Sequence, residues 1–482
     1  MSGTKNTEAP SGYTPKKLIV CCDGTWRNSD SGILSATSLS WLWRGHEQVS
    51  TNVTRIARAI NSIDRQGRQQ IVYYQAGVGS EGNLIERIVG GALGIGLAAN
   101  IREAYSFIAN NYLPADEIYL IGFSRGAFTA RSVGGLICDL GLLNTDGLDH
   151  LMDVFEDWEN AGADGYETLL ARDEPSFTIK IGVEDPKAYV ASYRDALRQI
   201  GYISGEEVPV KAIGVFDTVG SLGIPVNPLL QRIGFPRVLR EYRFYNTDLD
   251  RNVENAFQAL ALDEARSAYR PALWQKLPGM DANLRQVWFP GAHTNVGGGY
   301  PDSGLSDISL AWMMSNLEPF IDFNPQYIRK QHEKNLAYLR REKVPETGLQ
   351  WAAGQLKNTA SGLRALLGIV PRGPGRYHVL DKKTLRVRCE EPLRNTNERI
   401  HVSIRSRKVT GGLNERNKIV KYEPKSLQPK DYELIDAKAE PGKASWRYIG
   451  KETQFAGEVL LEEELGTFER EIFENFVSAS SA

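Results

Sequence analysis

The chain has 482 residues, enough for one large domain with insertions or for two domains. Hydrophobic residues are 41% and charged residues 24%, an ordinary globular composition, and a formal net charge of -2 removes any electrostatic case for nucleic acid as partner. The four cysteines (Cys21, Cys22, Cys138 and Cys389) form neither a disulfide ladder nor a metal spacing, which points to buried thiols in a reducing compartment.

Residues 1–15 are polar and lack the apolar core of a signal peptide, so they read as a flexible N-terminus. Residues 17–22 form an apolar strand that ends in Asp23-Gly24-Thr25-Trp26. A polar stretch follows, interrupted by an apolar knot around Trp41 and Trp43. A helix capped near Thr51 or Asn52 comes next, with Val53, Ile56, Ala57, Ile60 and Ile63 at helical spacing. Residues 71–74 read as a second strand and 85–112 as a long helix. The most apolar part of that helix, 88–99, has about half of the roughly 20 residues a membrane span needs, so it reads as core. A cytoplasmic protein is the expectation.

Residues 117–121 are a buried strand and 127–133 a helix. Between them lies Gly122-Phe123-Ser124-Arg125-Gly126. Five residues with two wildcards recur by chance, but a serine on a sharp strand-to-helix turn is a nucleophile elbow. Gly122 and Gly126 let strand and helix pass closer than a Cβ allows. The serine oxygen is thereby raised above the sheet, at a helix N-terminus whose N–H groups face a developing oxyanion.

Residues 143–207 are too long for a simple connection. Two helical pieces are expected there, at 151–158 and 189–200, and the insertion reads equally as a lid or as a structural addition. Residues 210–216 form a strand ending at Asp217. Residues 253–269 read as helix, 287–289 as a short strand and 308–317 as helix. Strands alternating with helices give an α/β fold: an α/β-hydrolase-like, mostly parallel sheet with helices on both faces. The alternation stops near residue 325. After the breaker cluster Pro371-Arg372-Gly373-Pro374-Gly375 come short strands near 385–387, 400–404 and 446–449, and a last helix over 460–476. The expected division is therefore a flexible 1–15, a hydrolase core over 16–324 and a C-terminal α+β appendage over 325–482. The appendage carries no visible catalytic constellation.

Serine needs a base, and the base needs an orienting carboxylate. On this fold they follow in the order Ser, Asp or Glu, His, each past the end of a strand. Of the six histidines, His293 alone follows a core strand and opens a glycine-rich loop. Asp217 ends an apolar strand between Ser124 and His293 and is the orienter. Asp263 is set aside because it falls in the stretch read as helix. Asp302 and Asp307 follow the histidine and are candidates for supporting its loop, or for orienting it if the order rule fails. The oxyanion donors expected are the backbone N–H of Arg125 and one from the Asp23-Gly24-Thr25 turn, with Gly24 and Thr25 both open. No cofactor or metal is called for.

Two other classes compete. Asp23-Gly24-Thr25 is the tail of the D-x-D-G-T pattern of phosphatases with an aspartate nucleophile, but Cys21 stands where the nucleophile belongs. Asp23, Asp217 and His293 could also meet as ligands of a metal. A non-catalytic binding or scaffold protein on the same fold is the other alternative.

Four segments together resemble a family. They are Val20 through Trp26, Gly122 through Arg131, Val215-Phe216-Asp217-Thr218-Val219-Gly220, and Pro290-Gly291-Ala292-His293 through Tyr300. Over about residues 16–320 the chain resembles the uncharacterised α/β-hydrolase domain family that includes phospholipase effectors of bacterial type VI secretion. The resemblance implies a Ser124, Asp217 and His293 triad and a serine hydrolase cleaving a carboxylic ester, most plainly a lipid ester. A lipid substrate also implies transient contact with a membrane surface. One position departs from the family, whose histidine loop often reads His-Ser-Asp-Val-Gly-Gly-Gly-Tyr. Here Asn295 replaces the acidic residue. Acyl chain, headgroup and oligomeric state are left open.

Overall fold

The computed structural model describes residues 11–24, 49–77, 92–161, 163, 165–179, 186–204, 207–219, 248–357, 359, 369–380 and 387–479. Thr25 and the Trp41 and Trp43 knot lie outside the described residues.

Strand β1 (Lys17–Cys22) is buried along its whole length. Its side chains alternate between two cores, with Leu18, Val20 and Cys22 in one and Ile19 and Cys21 in the other. That is the signature of a parallel strand covered on both faces. Cys21 and Cys22 are free and buried, and burial pushes the Cys22 thiol up to about 12, so neither is a reactive thiolate.

Around β1 lie β2 (Gln70–Gln75), β3 (Glu117–Phe123), β4 (Ala212–Phe216), β5 (Asn255–Ala261), β6 (Asn283–Phe289), β7 (Glu398–His401), β8 (Tyr432–Ile435), β9 (Ser445–Tyr448) and β10 (Val459–Glu463). They form one ten-stranded sheet in the order β8-β9-β10-β7-β6-β5-β4-β3-β1-β2. Every pairing from β2 across to β10 is parallel. Only β8 with β9 and β9 with β10 pair antiparallel.

Helix α1 (Asn52–Ala59) packs on the Ile19 face, and Thr51 caps it by accepting the Thr54 N–H. Helices α2 (Ala92–Asn111), α3 (Arg125–Leu140) and α4 (Pro186–Gln199) build the opposite face. The insertion after α3 packs there too, through Phe155, Trp158, Tyr193 and Leu197. Its polar centre is Asp157, which accepts from Tyr166, Tyr193 and the Leu169 and Leu170 N–H groups. A short helix α5 (His293–Gly297) leads to α6 (Gly304–Leu317), which is apolar nearly all round and buried between the sheet and α7 (Thr467–Ala479). Among the described residues no helix is long and apolar enough to cross a membrane.

Two sequence expectations are corrected. Residues 253–269 are not helical: they hold β5 and a one-turn 3-10 helix at Ser267–Tyr269. The expected helix over 460–476 begins instead with β10, and α7 starts only at Thr467. The C-terminal segment, expected as an α+β appendage on the core, joins the core through the sheet. β7 pairs directly with β6 of the core, and β10, β9 and β8 extend the same sheet.

The chain leaves β1 toward β2 on one side and returns to β3 on the other. The strand order reverses there, and open α/β sheets carry their sites past the carboxyl ends of the strands at such a point. Asp23 follows β1, Ser124 follows β3, Asp217 follows β4 and His293 opens α5 just after β6.

Candidate active site

Ser124 joins β3 to α3 with φ 58° and ψ -120°. A non-glycine residue with positive φ is strained, and such strain gathers at functional sites. The two flanking glycines explain how the turn closes. A Cβ on Gly126 would lie 2.1 Å from the Cys22 carbonyl oxygen, and one on Gly122 would lie 2.5 Å from the Gly126 carbonyl oxygen. Strand, turn and helix touch backbone to backbone, as the sequence pattern requires.

Ser124 Oγ lies 2.8 Å from His293 Nε2, and His293 Nδ1 lies 2.6 Å from Asp217 Oδ2. All three side chains are buried. Asp217, at φ 39°, also stands in positive-φ backbone. Its Oδ1 accepts the Ala261 N–H at 2.9 Å, from the end of β5. The imidazole ring packs against Phe123, 4.7 Å away centroid to centroid, and stands at 75° to the ring of Tyr269 at 4.9 Å. The His293 N–H donates to Glu264 Oε2 at 3.2 Å, which fixes the start of α5. Glu264 is itself held by Arg266, at 2.8 Å to each carboxylate oxygen.

A residue that sequence reasoning missed completes the site. Arg372 is buried and grips both oxygens of Asp217: its Nη1 bonds Oδ1, and its Nη2 lies 3.0 Å from Oδ2. Nη2 also donates to the Tyr269 carbonyl at 2.7 Å. Burial alone would raise the Asp217 carboxyl. The Arg372 charge outweighs it, with His293 adding to the effect, and holds the carboxyl well below the usual carboxylate range. Arg372 lies in the Pro-Gly breaker cluster of the C-terminal segment, where no pattern marked it.

The remaining candidates are brought close but act differently. Asp23 is buried and accepts from Thr51 at 2.6 Å, Thr54 at 2.9 Å and Tyr74 at 2.7 Å. Burial raises its carboxyl, and these donors pull it back only in part. It ties β1 to α1 and β2. Gly24 abuts the elbow, but its N–H is already donated to Asp23 Oδ1 at 2.7 Å. Arg125 is the first residue of α3, where helix N–H groups lack intrahelical carbonyls.

Asn295 is buried in α5. Its Nδ2 donates to the Gln355 carbonyl at 2.9 Å, and its Oδ1 accepts from the Ala292 N–H at 3.2 Å. It fastens the histidine loop to the C-terminal segment. Asp302 accepts the Gly304 and Gln355 N–H groups, and Asp307 pairs with Arg55. Neither is bonded to His293. Asp263 sits past β5 rather than in a helix, but it accepts from Gly291 N–H and Tyr422 hydroxyl, both at 2.7 Å. A cation's place on Asp217 is filled by Arg372, and Asp23 is saturated by hydroxyls, so the two do not compose a metal site with His293. Among the described residues one group has metal-ligand spacing, His150, Asp153 and Asp173, and it contains none of these residues.

A parallel sheet with a strained serine elbow beside a buried histidine and aspartate defines an α/β-hydrolase-like protein. The family described as T6SS phospholipase effector Tle1-like, catalytic domain, matches residues 16–316, and the chain belongs to it. The chain is also similar to an uncharacterized protein of Saccharomyces cerevisiae, YEL023C, at 26% identity over 280 residues, which is 55% of this chain. It spans 33% of that protein's length. Solved structures with weaker likeness include a Tle1 effector bound to the VgrG spike of the type 6 secretion system, at 19% identity and a TM-score of 0.28, covering 59% of this chain and 51% of that one. Another is an uncharacterized protein from Pseudomonas aeruginosa, at 16% identity and a TM-score of 0.33, covering 69% and 51%.

Proposed function

We propose that the protein is a serine hydrolase that cleaves a carboxylic ester of a lipid through an acyl-enzyme. The observation that carries this reading is the unbroken chain from Asp217 through His293 to Ser124 Oγ on a positive-φ elbow. Membership of a family described as phospholipase effectors supports the lipid ester as substrate class.

In this mechanism Ser124 Oγ attacks the ester carbonyl while His293 Nε2 takes its proton. Asp217 accepts the Nδ1–H, holds that tautomer and balances the imidazolium that forms. The oxyanion of the tetrahedral intermediate lies at the N-terminus of α3, where the Arg125 N–H is a donor. His293 then protonates the leaving alcohol, and water enters by the same route to release the acid. No step calls for a metal.

The test is labelling with a fluorophosphonate probe, followed by a panel of phospholipids and simple esters. Wild-type protein is expected to label at one serine and the Ser124→Ala variant not at all. On an ester substrate that variant should lose roughly 10⁴-fold or more in kcat. Equal turnover by both proteins would overturn the mechanism. Well-folded wild-type protein that never labels would favour a binding role on the same fold.

A further inference from the structure

We infer that Arg372 is a positioning residue of the catalytic site, so that the C-terminal segment supports a triad whose three members all lie within residues 16–316. The inference rests on the triad reading of the preceding subsection. Its own basis is geometric. A buried guanidinium bridges both oxygens of the aspartate that holds the base, and such a fork fixes the plane of a carboxylate as well as its charge. Asp217 is thereby locked on three sides: by Arg372, by the Ala261 N–H and by His293.

The segment carrying Arg372 is fastened at both ends. Val370 N–H donates to the Ala265 carbonyl at 2.8 Å, and Ile369 bridges to Arg266. Beyond Arg372, the Gly375 N–H donates to Glu398 on β7 at 2.9 Å, and Tyr432 on β8 bonds the Pro374 carbonyl. The strap therefore runs from the loop after β5, which carries Glu264 and Tyr269, to the outer strands of the sheet. By gripping the Tyr269 carbonyl as well, Arg372 also holds the ring that walls His293.

The charge has a second consequence. Imidazolium beside a lone buried carboxylate is strongly favoured. Beside a carboxylate already balanced by guanidinium it is favoured less, so taking the guanidinium away favours the imidazolium. Among the described residues, the other charged or titratable groups facing this cluster are Glu264 with its partner Arg266 and Tyr269 on the His293 side, and Tyr377 on the Arg372 side. Glu264 is paired with Arg266 and its charge also reaches Arg372, but Arg372 is the cation that lies directly on both oxygens of Asp217.

The test is the rate of fluorophosphonate labelling at Ser124 as a function of pH, for wild type, Arg372→Gln and Arg372→Lys, each checked for folding by thermal melting. In Arg372→Gln the acid limb should move to higher pH by about one unit or more. A purely structural role would lower the rate at every pH and leave the limb in place. Arg372→Lys keeps the charge but not the fork. Its limb should stay near wild type while its plateau falls about tenfold, a loss of 1.4 kcal/mol. An unmoved limb in folded Arg372→Gln would overturn the inference. If that variant does not fold, a limb that moves up in Arg372→Lys despite the retained charge would overturn it instead. Wild-type protein that does not label Ser124 would overturn the triad reading itself, an outcome distinct from either.

Discussion

Asn295 lies two residues past His293, and its amide is used at both ends. The nitrogen gives a proton to the Gln355 carbonyl, and the oxygen takes one from the Ala292 N–H. An aspartate there can accept from Ala292 but has nothing to give Gln355, so two oxygens face each other in a buried place. We expect Asn295→Asp to lose about 1–3 kcal/mol of stability at neutral pH, measured by denaturant unfolding. The sign of its pH dependence follows from protonation. The new carboxyl is favoured neutral in the folded state, so its folded value rises above the unfolded one near 4. The penalty grows as pH rises through that range and shrinks below it, where a protonated carboxyl can again donate to Gln355. A deficit that is absent at neutral pH, or that grows toward low pH, would show that the amide is not what ties the loop to Gln355. The departure at Asn295 was visible in the sequence; its partner was not, because Gln355 is 60 residues away in a stretch without pattern. Arg372 was hidden for the same reason, 155 residues from Asp217 and in a cluster that reads as breaker. Ser124, Asp217 and His293 were readable because each ends or follows a short apolar run, and that placement is local.

At the scale of elements, the error over 253–269 has a physical origin. Val253, Phe257, Leu260 and Glu264 fall at helical spacing, and the stretch is rich in alanine, so the period suggests a helix. β5 is a central parallel strand with both faces covered, and every one of its residues is buried. No alternation is left to betray a strand. Even its polar Gln258 is paired, with the Thr218 hydroxyl at 3.0 Å and the Ala272 carbonyl at 3.0 Å. The cap of α1 was readable, but the role of its first residue was not. Asn52 is fully buried, and its Nδ2 reaches the Val296 and Ser306 carbonyls at 2.9 and 3.0 Å. Its Oδ1 accepts from Arg55, which in turn pairs with Asp307 in α6. One side chain thus joins α1, the histidine helix α5 and α6. Replacing Asn52 with alanine removes its bonds to both carbonyls, which keep only the Ser309 hydroxyl, and takes the closer acceptor from the Arg55 Nη1. A loss of about 2–4 kcal/mol is expected, with labelling at Ser124 slowed in the folded fraction because α5 is less firmly held. Melting curves and labelling rates on the same sample separate the two effects. Unchanged values for both would mean that α5 is positioned by Glu264 and Asn295 alone.

Across the whole molecule, the family match ends at residue 316, yet the sheet does not end there. β6 is the last strand of the matched region, and it is an interior strand only because β7 pairs with it from Gln286 to Trp288. Trp288 is fully buried, and its indole nitrogen donates to Glu398 on β7 at 2.9 Å. On the other side of the sheet, Trp312 of α6 donates to Glu463 on β10, and α7 covers α6. A chain cut at 324 would keep Ser124, Asp217 and His293 but expose the β6 edge, Trp288 and the outer face of α6. It would also leave Asp217 buried without Arg372. An unpaired apolar edge of this kind invites pairing with other copies. Residues 1–324 alone should therefore be aggregated on size-exclusion chromatography and show no cooperative melting transition, whereas the full chain should melt cooperatively. A monodisperse 1–324 that melts cooperatively and labels at Ser124 at the rate of the full chain would show the reverse: the outer strands and the strap would be additions to a catalytic unit already complete without them.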